Sequence, residues 1–259
     1  MKKQFFAFAL TLFVCTAQAA PCDTTTDGPT GPARTPLMYS ARAGNTENVR
    51  CLLDNGADPN EADGGGRRAI LFAAAKKHTD IVRLLIEKGA NINATDKLGW
   101  TQLMNAASGG HTDAARILIE HGADLNAANE NGSTALMIAS IGSISTDTAR
   151  LLIEKGANVN ATDKHGRTAL MIAASNLRRN GASRLLIDGG ANINAVTKDG
   201  FTALMGAAYS GQTDTVRLLI EKGANVNAVD KDGNTALTRA AQQGHTDIAN
   251  MLRAAGAKK

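Results

Sequence analysis

The side chains that could bind a metal ion are the histidines and one short acidic turn. The five histidines are His78, His111, His121, His165 and His245. A metal site needs several ligands that converge on one point, but these histidines are spread over most of the chain. The turn at Asp230-Lys231-Asp232-Gly233 resembles the start of a calcium loop, yet the later acidic ligands of such a loop are missing. We therefore predict no metal site and no cofactor.

Catalytic groups are equally hard to assemble from this sequence. It contains no glycine-rich phosphate loop, no motif that pairs two carboxylates and no recognisable Ser/His/Asp set. We therefore predict that the protein is not an enzyme. The alternative from a different class, a hydrolase built on a repeat scaffold, lacks a visible pair of nucleophile and base.

The cysteines of the mature chain allow two interpretations, a disulfide or two separate thiols. Cys15 lies in an amino-terminal segment that we expect to be removed, which leaves Cys22 and Cys51. In an oxidising compartment these two could form a disulfide that holds the start of the mature chain against the folded domain. The other alternative is a small buried thiol at Cys51 with a free thiol at Cys22. The sequence leaves both open.

A repeated element must position all of these residues. An apolar helical pattern followed by a glycine recurs along the chain, with successive glycines 33 or 34 residues apart. These glycines are Gly56, Gly89, Gly122, Gly156, Gly190, Gly223 and Gly256. A fixed period of this length indicates an array of repeats.

Each unit is predicted to contain two helices. Ile81, Leu84 and Leu85 form an apolar stripe at helical spacing, and Gly89 ends that helix because glycine tolerates the left-handed backbone of a helix stop. A preceding helix begins after Thr101, whose hydroxyl can cap it. The Thr-Asp pairs that start the second helices, such as Thr79-Asp80, are also predicted to act as caps. One unit cannot bury enough apolar surface to fold alone, so neighbouring units must complete its core.

The units resemble ankyrin repeats. That family carries Thr-Pro-Leu-His near the start of each repeat and Gly-Ala-Asp-x-Asn near its end, and this chain matches with Thr35-Pro36-Leu37 and with every marker glycine. The resemblance implies an all-α solenoid of helix-turn-helix units with hairpin-like loops. It covers residues 35–257 as seven repeats, at about 35–66, 67–99, 100–132, 133–166, 167–200, 201–233 and 234–257.

One departure from the family pattern is systematic. The histidine of the motif is replaced by Met38, Leu71, Met104, Met137, Met171, Met205 and Thr238. We predict that the five methionines fill the core, because Met adapts to irregular apolar gaps. Polar residues at Asn48 and Arg253, where the second repeat carries Ile81 and Ile86, indicate that the first and last repeats are end units.

The amino terminus has the features of a secretory signal peptide. Lys2 and Lys3 precede an apolar stretch that ends at Ala17-Gln18-Ala19, so we predict a signal peptide at 1–19 and a flexible lead-in at 20–34. The signal looks bacterial, which predicts a periplasmic protein; the alternative is a secreted one. Removal of both lysines lowers the net charge from +4 to +2, which does not favour a nucleic-acid partner. No later stretch is apolar for long enough to span a membrane.

The resemblance implies that partners are held by the hairpin tips and the exposed side of the first helix, on the concave face of the stack. The seven copies differ most at these positions. The candidate partner-binding residues are Arg67, Lys76, Leu98, Trp100, His165, Arg167, Phe201 and Tyr209. Aromatic residues and arginine are enriched among interface hot spots. The alternative is that the residue after each hairpin glycine only covers the neighbouring hairpin.

These observations predict a monomeric, non-enzymatic module that binds another protein. The favoured hypothesis is a periplasmic protein that regulates, protects against or stabilises a partner enzyme. The alternative is a secreted effector that binds a host protein.

Overall fold

The computed structural model describes residues 22–24, 34–141, 146–176 and 181–258. The predicted signal peptide at 1–19 lies outside these ranges, as does most of the predicted lead-in. Within them the regular structure is entirely α-helical apart from one isolated bridge between Ala128 and Thr134. The all-α fold class is therefore confirmed.

Fourteen helices form seven consecutive pairs in the described part of the chain. The first helices are α1 (Pro36–Ala43), α3 (Ala69–Ala75), α5 (Gln102–Ser108), α7 (Ala135–Ile141), α9 (Ala169–Ala174), α11 (Ala203–Tyr209) and α13 (Ala236–Gln242). The second helices are α2 (Thr46–Asp54), α4 (Thr79–Glu87), α6 (Thr112–Glu120), α8 (Asp147–Glu154), α10 (Ala182–Asp188), α12 (Thr213–Glu221) and α14 (Thr246–Ala254). The pairs follow the predicted order of helix, turn, helix and loop.

Local signals explain where the helices begin and end. The Thr101 hydroxyl accepts a hydrogen bond from the Met104 N–H at 3.2 Å, which confirms the predicted cap of α5. The marker glycines after the second helices all have φ between 85° and 92°, which confirms their role as left-handed stops. The predicted capping by Thr79 is wrong, because Thr79 is already the first residue of α4 and His78 stands before it. Asp80 instead lies in the first turn, where the helix dipole favours an acid.

The helices form two layers with a continuous core between them. The first helices pack side by side from α1 to α13, and second helices contact one another in the same order, for example α2 with α4 and α6 with α8. The predicted core methionines are all at most 1% exposed: Met38, Met104, Met137, Met171 and Met205. Each repeat thus completes the core of its neighbours, as a solenoid requires.

A row of asparagine side chains joins each repeat to the next. Asn160 donates from Nδ2 to the Gly190 carbonyl at 3.2 Å and accepts from the Asn192 N–H at 2.7 Å. The same pair of bonds is made by Asn60, Asn93, Asn194 and Asn227. A side-chain amide can donate to a carbonyl and accept from an N–H. Each asparagine therefore supplies a hydrogen-bond partner to one carbonyl and one N–H of the next repeat.

We expect Asn160→Ala to lower the free energy of unfolding by about 1–2 kcal/mol, because two hydrogen bonds worth about 1 kcal/mol each are lost. Urea unfolding followed by circular dichroism measures the change. Asn131→Ala is the matched control, since Asn131 makes its contact to Lys164 with its backbone carbonyl. Equal destabilisation by the two substitutions would contradict a bridging role for the Asn160 side chain.

Residues 22–24 lie against the second helix of the first repeat. The structure pairs Cys22 with Cys51, with their Cα atoms 5.6 Å apart, a normal separation for a disulfide. Asn48 accepts from the Asp23 N–H at 2.8 Å and donates to the Asp23 carbonyl at 2.9 Å. Asn55 donates from Nδ2 to Cys22 Sγ at 3.2 Å.

These contacts occupy the side of α2 on which later repeats meet the repeat before them. Asn48, Cys51 and Asn55 correspond to Ile81, Leu84 and Lys88 of the second repeat. Lys88 reaches back to Asp54 of the first repeat, which shows where this side points. The polar residue at position 48 therefore has a structural reason: it binds a peptide segment where Ile81 packs in the core.

Candidate functional site

The outer surface of the first-helix layer is built from three columns of variable residues, which we call the inner face. The hairpin column contains the residue after each hairpin glycine, together with the equivalent Arg34: Arg34, Arg67, Trp100, Ser133, Arg167, Phe201 and Asn234. The middle column contains Tyr39, Phe72, Asn105, Ile138, Ile172, Gly206 and Arg239, of which Phe72, Ile138 and Gly206 are buried. The end column contains Arg42, Ala75, Ser108, Ile141, Ser175, Tyr209 and Gln242. Five of the eight candidate residues lie in the hairpin and end columns, and the other three, Lys76, Leu98 and His165, lie beside them.

Arg67 and Arg167 are partly used within the protein. Arg67 Nη2 lies 2.8 Å from Asp63 Oδ2, and Arg167 Nε lies 2.7 Å from Asp163 Oδ2. Both acids also accept backbone N–H groups of their own turn, so they organise the hairpin. The structure therefore gives each arginine a local structural role, while leaving Arg167 exposed and Arg67 half-buried.

Folding lowers the pKa of the Asp163 carboxyl. Burial by itself would raise this pKa, but hydrogen bonds from the backbone and side chain of Arg167, together with its charge, outweigh that effect. A carboxyl with a lowered pKa stabilises the fold above its unfolded-state pKa and loses this contribution as the pH falls through its folded-state value. The hairpin around His165 and Arg167 is thus held in place at neutral pH.

Trp100 and Phe201 are half-buried and pack against the core. The Phe201 ring lies beside the middle of its own helix: a Cβ added at Gly206 would meet its Cζ at 3.3 Å. The Arg239 guanidinium lies over this ring, 5.4 Å from its centroid. Both aromatic residues present only part of their rings to a partner.

Leu98, His165 and Tyr209 are exposed on the inner face. Lys76 is also exposed but is out of register with Tyr209. It caps the carboxyl end of α3, whereas Tyr209 is the last residue of α11, and the residue equivalent to Tyr209 is Ala75. Lys76 therefore lies at the edge of the inner face, one residue beyond the end column.

The middle column was missed by the sequence-based prediction. It contains Phe72, whose ring is covered by two guanidinium groups at 4.8 Å (Arg34) and 5.5 Å (Arg67) from its centroid. It also contains Arg239, which pairs with Asp230. The available signal was the strong variation of this position among otherwise similar helices. In the end column the exposed Ile141 was missed in the same way.

A groove of about 360 Å³ brings three candidate residues together near the last repeats. His165, Arg167 and Phe201 line it together with Asp199, Asp230, Asp232, Lys231, Arg239 and Thr197. Burial opposes ionisation of Asp230, but hydrogen bonds from Arg239 and Asn234 hold its pKa below the ordinary value. The groove is therefore lined by one aromatic ring and several charged side chains. The other candidate residues Arg67, Lys76, Leu98 and Trp100 lie in earlier repeats.

The described residues contain no cluster of three or more His, Cys, Asp or Glu side chains that could hold a metal ion. The helices of the same ranges were also searched for membrane spans, and none has the length and hydropathy required.

Comparison with known proteins gives a family. A family model described as ankyrin repeats (3 copies) matches residues 9–96, 93–163, 129–195 and 170–259. No curated protein matches the chain. Ankyrin repeats are protein–protein interaction modules, in agreement with a structure whose variable residues gather on one open surface. The continuous match and the seven helix pairs show that the chain belongs to the ankyrin repeat family.

Proposed function

We propose that this protein is a non-enzymatic binding module whose inner face holds a partner protein. The observation that carries the proposal is the grouping of aromatic, aliphatic and arginine side chains in three adjacent columns on a regular backbone. Such residues supply most of the binding energy in protein interfaces. Rigid helix pairs present them without a large entropic cost on binding.

The partner that we propose is a periplasmic enzyme, which the module would inhibit, protect against or stabilise. The signal-like segment at 1–19 supports an exported protein. The pairing of Cys22 with Cys51 supports the same address, since disulfides persist in oxidising compartments. A secreted effector that binds a host protein is the alternative.

Two exposed apolar residues provide the sharpest test of the inner face. Leu98 is 60% exposed and Tyr209 is 47% exposed, so truncating them removes contact area and disturbs little of the core. Val196 and Val229, which are 59% and 56% exposed and lie outside the three columns, form the matched control.

We expect Leu98→Ala with Tyr209→Ala to weaken partner binding at least about tenfold, since loss of one anchor costs more than about 1 kcal/mol. The partner is first recovered from periplasmic extract with the wild-type protein, and its Kd is then measured by calorimetry. The double variant Val196→Ala with Val229→Ala is expected to bind as the wild type does. If both double variants bind the partner equally, the inner face is not the binding surface.

Export and the disulfide can be tested in one measurement. We expect the protein recovered from the periplasm to begin at Ala20 and to have the intact mass of the chain with Cys22 and Cys51 oxidised.

In the Cys51→Ser variant we expect faster amide exchange in α1 and α2, because the lead-in loses its covalent attachment. Exchange in α11 to α14 is the internal control. A chain that retains residues 1–19 or two free thiols would contradict the proposed address.

A further inference from the structure

The inner face carries its charge unevenly. At the end formed by the first two repeats, which we call the arginine end, Arg34, Arg42, Arg67 and Lys76 are exposed or half-buried. Among the described residues two carboxylates lie beside these cations: that of Asp63, whose side chain is fully buried beneath Arg34 and Arg67, and that of Asp96, which is half-buried and lies against Gly66. The four cations therefore outnumber the carboxylates that a partner can reach.

The two arginines that cover Phe72 are held in place before any partner arrives. Both guanidinium groups lie over the same ring, and both approach Asp63 Oδ2, at 2.8 Å for Arg67 Nη2 and 3.9 Å for Arg34 Nε. One carboxylate thus neutralises one of two adjacent guanidinium groups. A stacked guanidinium loses less conformational entropy when it binds a carboxylate than a free side chain does.

A further positive charge lies directly below this cluster. Arg68 is 8% exposed and its guanidinium donates to the carbonyls of Asn60, Gly66, Ala94 and Thr95, at 2.9–3.4 Å. Carbonyl dipoles bind the guanidinium but cancel none of its net charge. A charge at this depth is screened less than a surface charge, so it adds to the potential over the arginine end.

The groove at the other end of the inner face is balanced. Arg167 pairs with Asp163, Lys231 with Asp199 at 2.8 Å, and Arg239 with Asp230. Asp232 adds a further carboxylate to the lining. Each cation of this groove therefore has an acid of its own, in contrast to the arginine end.

We infer that the arginine end binds an acidic segment of the partner protein, which rests on the proposed function of the inner face. Complementary charge sets the orientation of a partner and speeds its encounter. Carboxylates of the partner pair with Arg34, Arg42 and Lys76, while its apolar residues contact Leu98, Ile141 and Tyr209. The partner thus binds in one direction along the stack.

The direct test uses two fluorescent peptides, one of eight glutamates and one of eight lysines, at low ionic strength. The glutamate peptide is expected to bind the wild type, and Arg34→Gln with Lys76→Gln to weaken that binding about tenfold. The control is Arg83→Gln with Arg116→Gln, which removes the same charge from the second-helix layer and is expected to leave binding within about twofold of the wild type. Circular dichroism verifies that both variants fold.

Unchanged binding of the glutamate peptide to the Arg34→Gln, Lys76→Gln variant would overturn the inference, as would tighter binding of the lysine peptide to the wild type. Binding of the partner recovered from periplasmic extract shows whether only this inference fails or the proposed function fails as well. If the Leu98→Ala, Tyr209→Ala variant loses the partner while the Arg34→Gln, Lys76→Gln variant keeps its full affinity, the inner face stands as the binding surface. Only the acidic contact would then be wrong.

Discussion

Replacing Arg68 with alanine is expected to lower the free energy of unfolding by about 3–4 kcal/mol. Arg68 stands where the other six repeats carry the capping threonine, and its backbone N–H donates to Gln102 Oε1 at 3.2 Å. Its guanidinium joins the first two repeats through four carbonyls, those of Asn60, Gly66, Ala94 and Thr95. The substitution removes every one of these side-chain donors at once.

The size of this destabilisation depends on the carbonyl acceptors that are left without a donor. A hydrogen bond to a charged group contributes about 1.5–3 kcal/mol, and a buried acceptor left without a donor costs about 1–3 kcal/mol. Relief from burying a guanidinium without a carboxylate offsets part of the loss. The balance is a large destabilisation, centred on the first two repeats.

Urea unfolding measures the total change, and amide exchange locates it. Arg68→Lys is the informative control because it keeps the positive charge but has a single ammonium group in place of the planar fork. We expect it to fall between the wild type and Arg68→Ala. Ordinary surface substitutions change the free energy of unfolding by up to about 0.5 kcal/mol. If Arg68→Ala stays within that range of the wild type, the four carbonyls that accept from Arg68 must bind water or another donor instead.

Gly132→Ala is expected to destabilise the protein by about 3 kcal/mol. Gly132 has φ of +77°, a conformation that costs an L-residue about 1–2 kcal/mol. An added Cβ would also lie 2.9 Å from the Lys164 backbone N and 3.0 Å from Asp163 Cα in the next hairpin. Because backbone atoms cannot move aside alone, overpacking adds about 1–3 kcal/mol.

Gly156→Ala separates the two causes. Gly156 has φ of +90°, but its Cβ would have no atom within 4 Å. We therefore expect about 1 kcal/mol of destabilisation, because the backbone strain is partly offset by the lower entropy of the unfolded chain. Chemical denaturation of both variants gives the difference. Equal effects would mean that the hairpins do not pack as closely as the Lys164 N–H bond to the Asn131 carbonyl indicates.

The repeated fold could be predicted from sequence because its signals recur in phase. Leu84 and Leu85 show the apolar stripe, Gly89 the stop and Thr101 the cap, and each signal depends only on neighbours within one turn. Arg68 could not be understood in this way. It breaks the cap pattern for a reason that lies 26 and 27 residues further along the chain, in the carbonyls of Ala94 and Thr95.

The candidate site was predicted less completely than the fold. Variation after the hairpin glycine drew attention to Trp100 and Phe201, but variation alone does not separate binding from structure. Arg67 varies because it pairs with Asp63 and covers Phe72. Lys76 was predicted to lie on the exposed side of the first helix, but α3 ends at Ala75, and the 33-residue period also places Ala75 in register with Ser108.

The attachment of residues 22–24 gives the stack a direction of disassembly. Solenoids open by fraying from their ends, because an end unit has a neighbour on one side only. Asn48, Cys51 and Asn55 attach a peptide over one edge of α2 and so protect that edge from opening. The arginine end should therefore open late, so that a partially unravelled molecule would still carry its most positive surface.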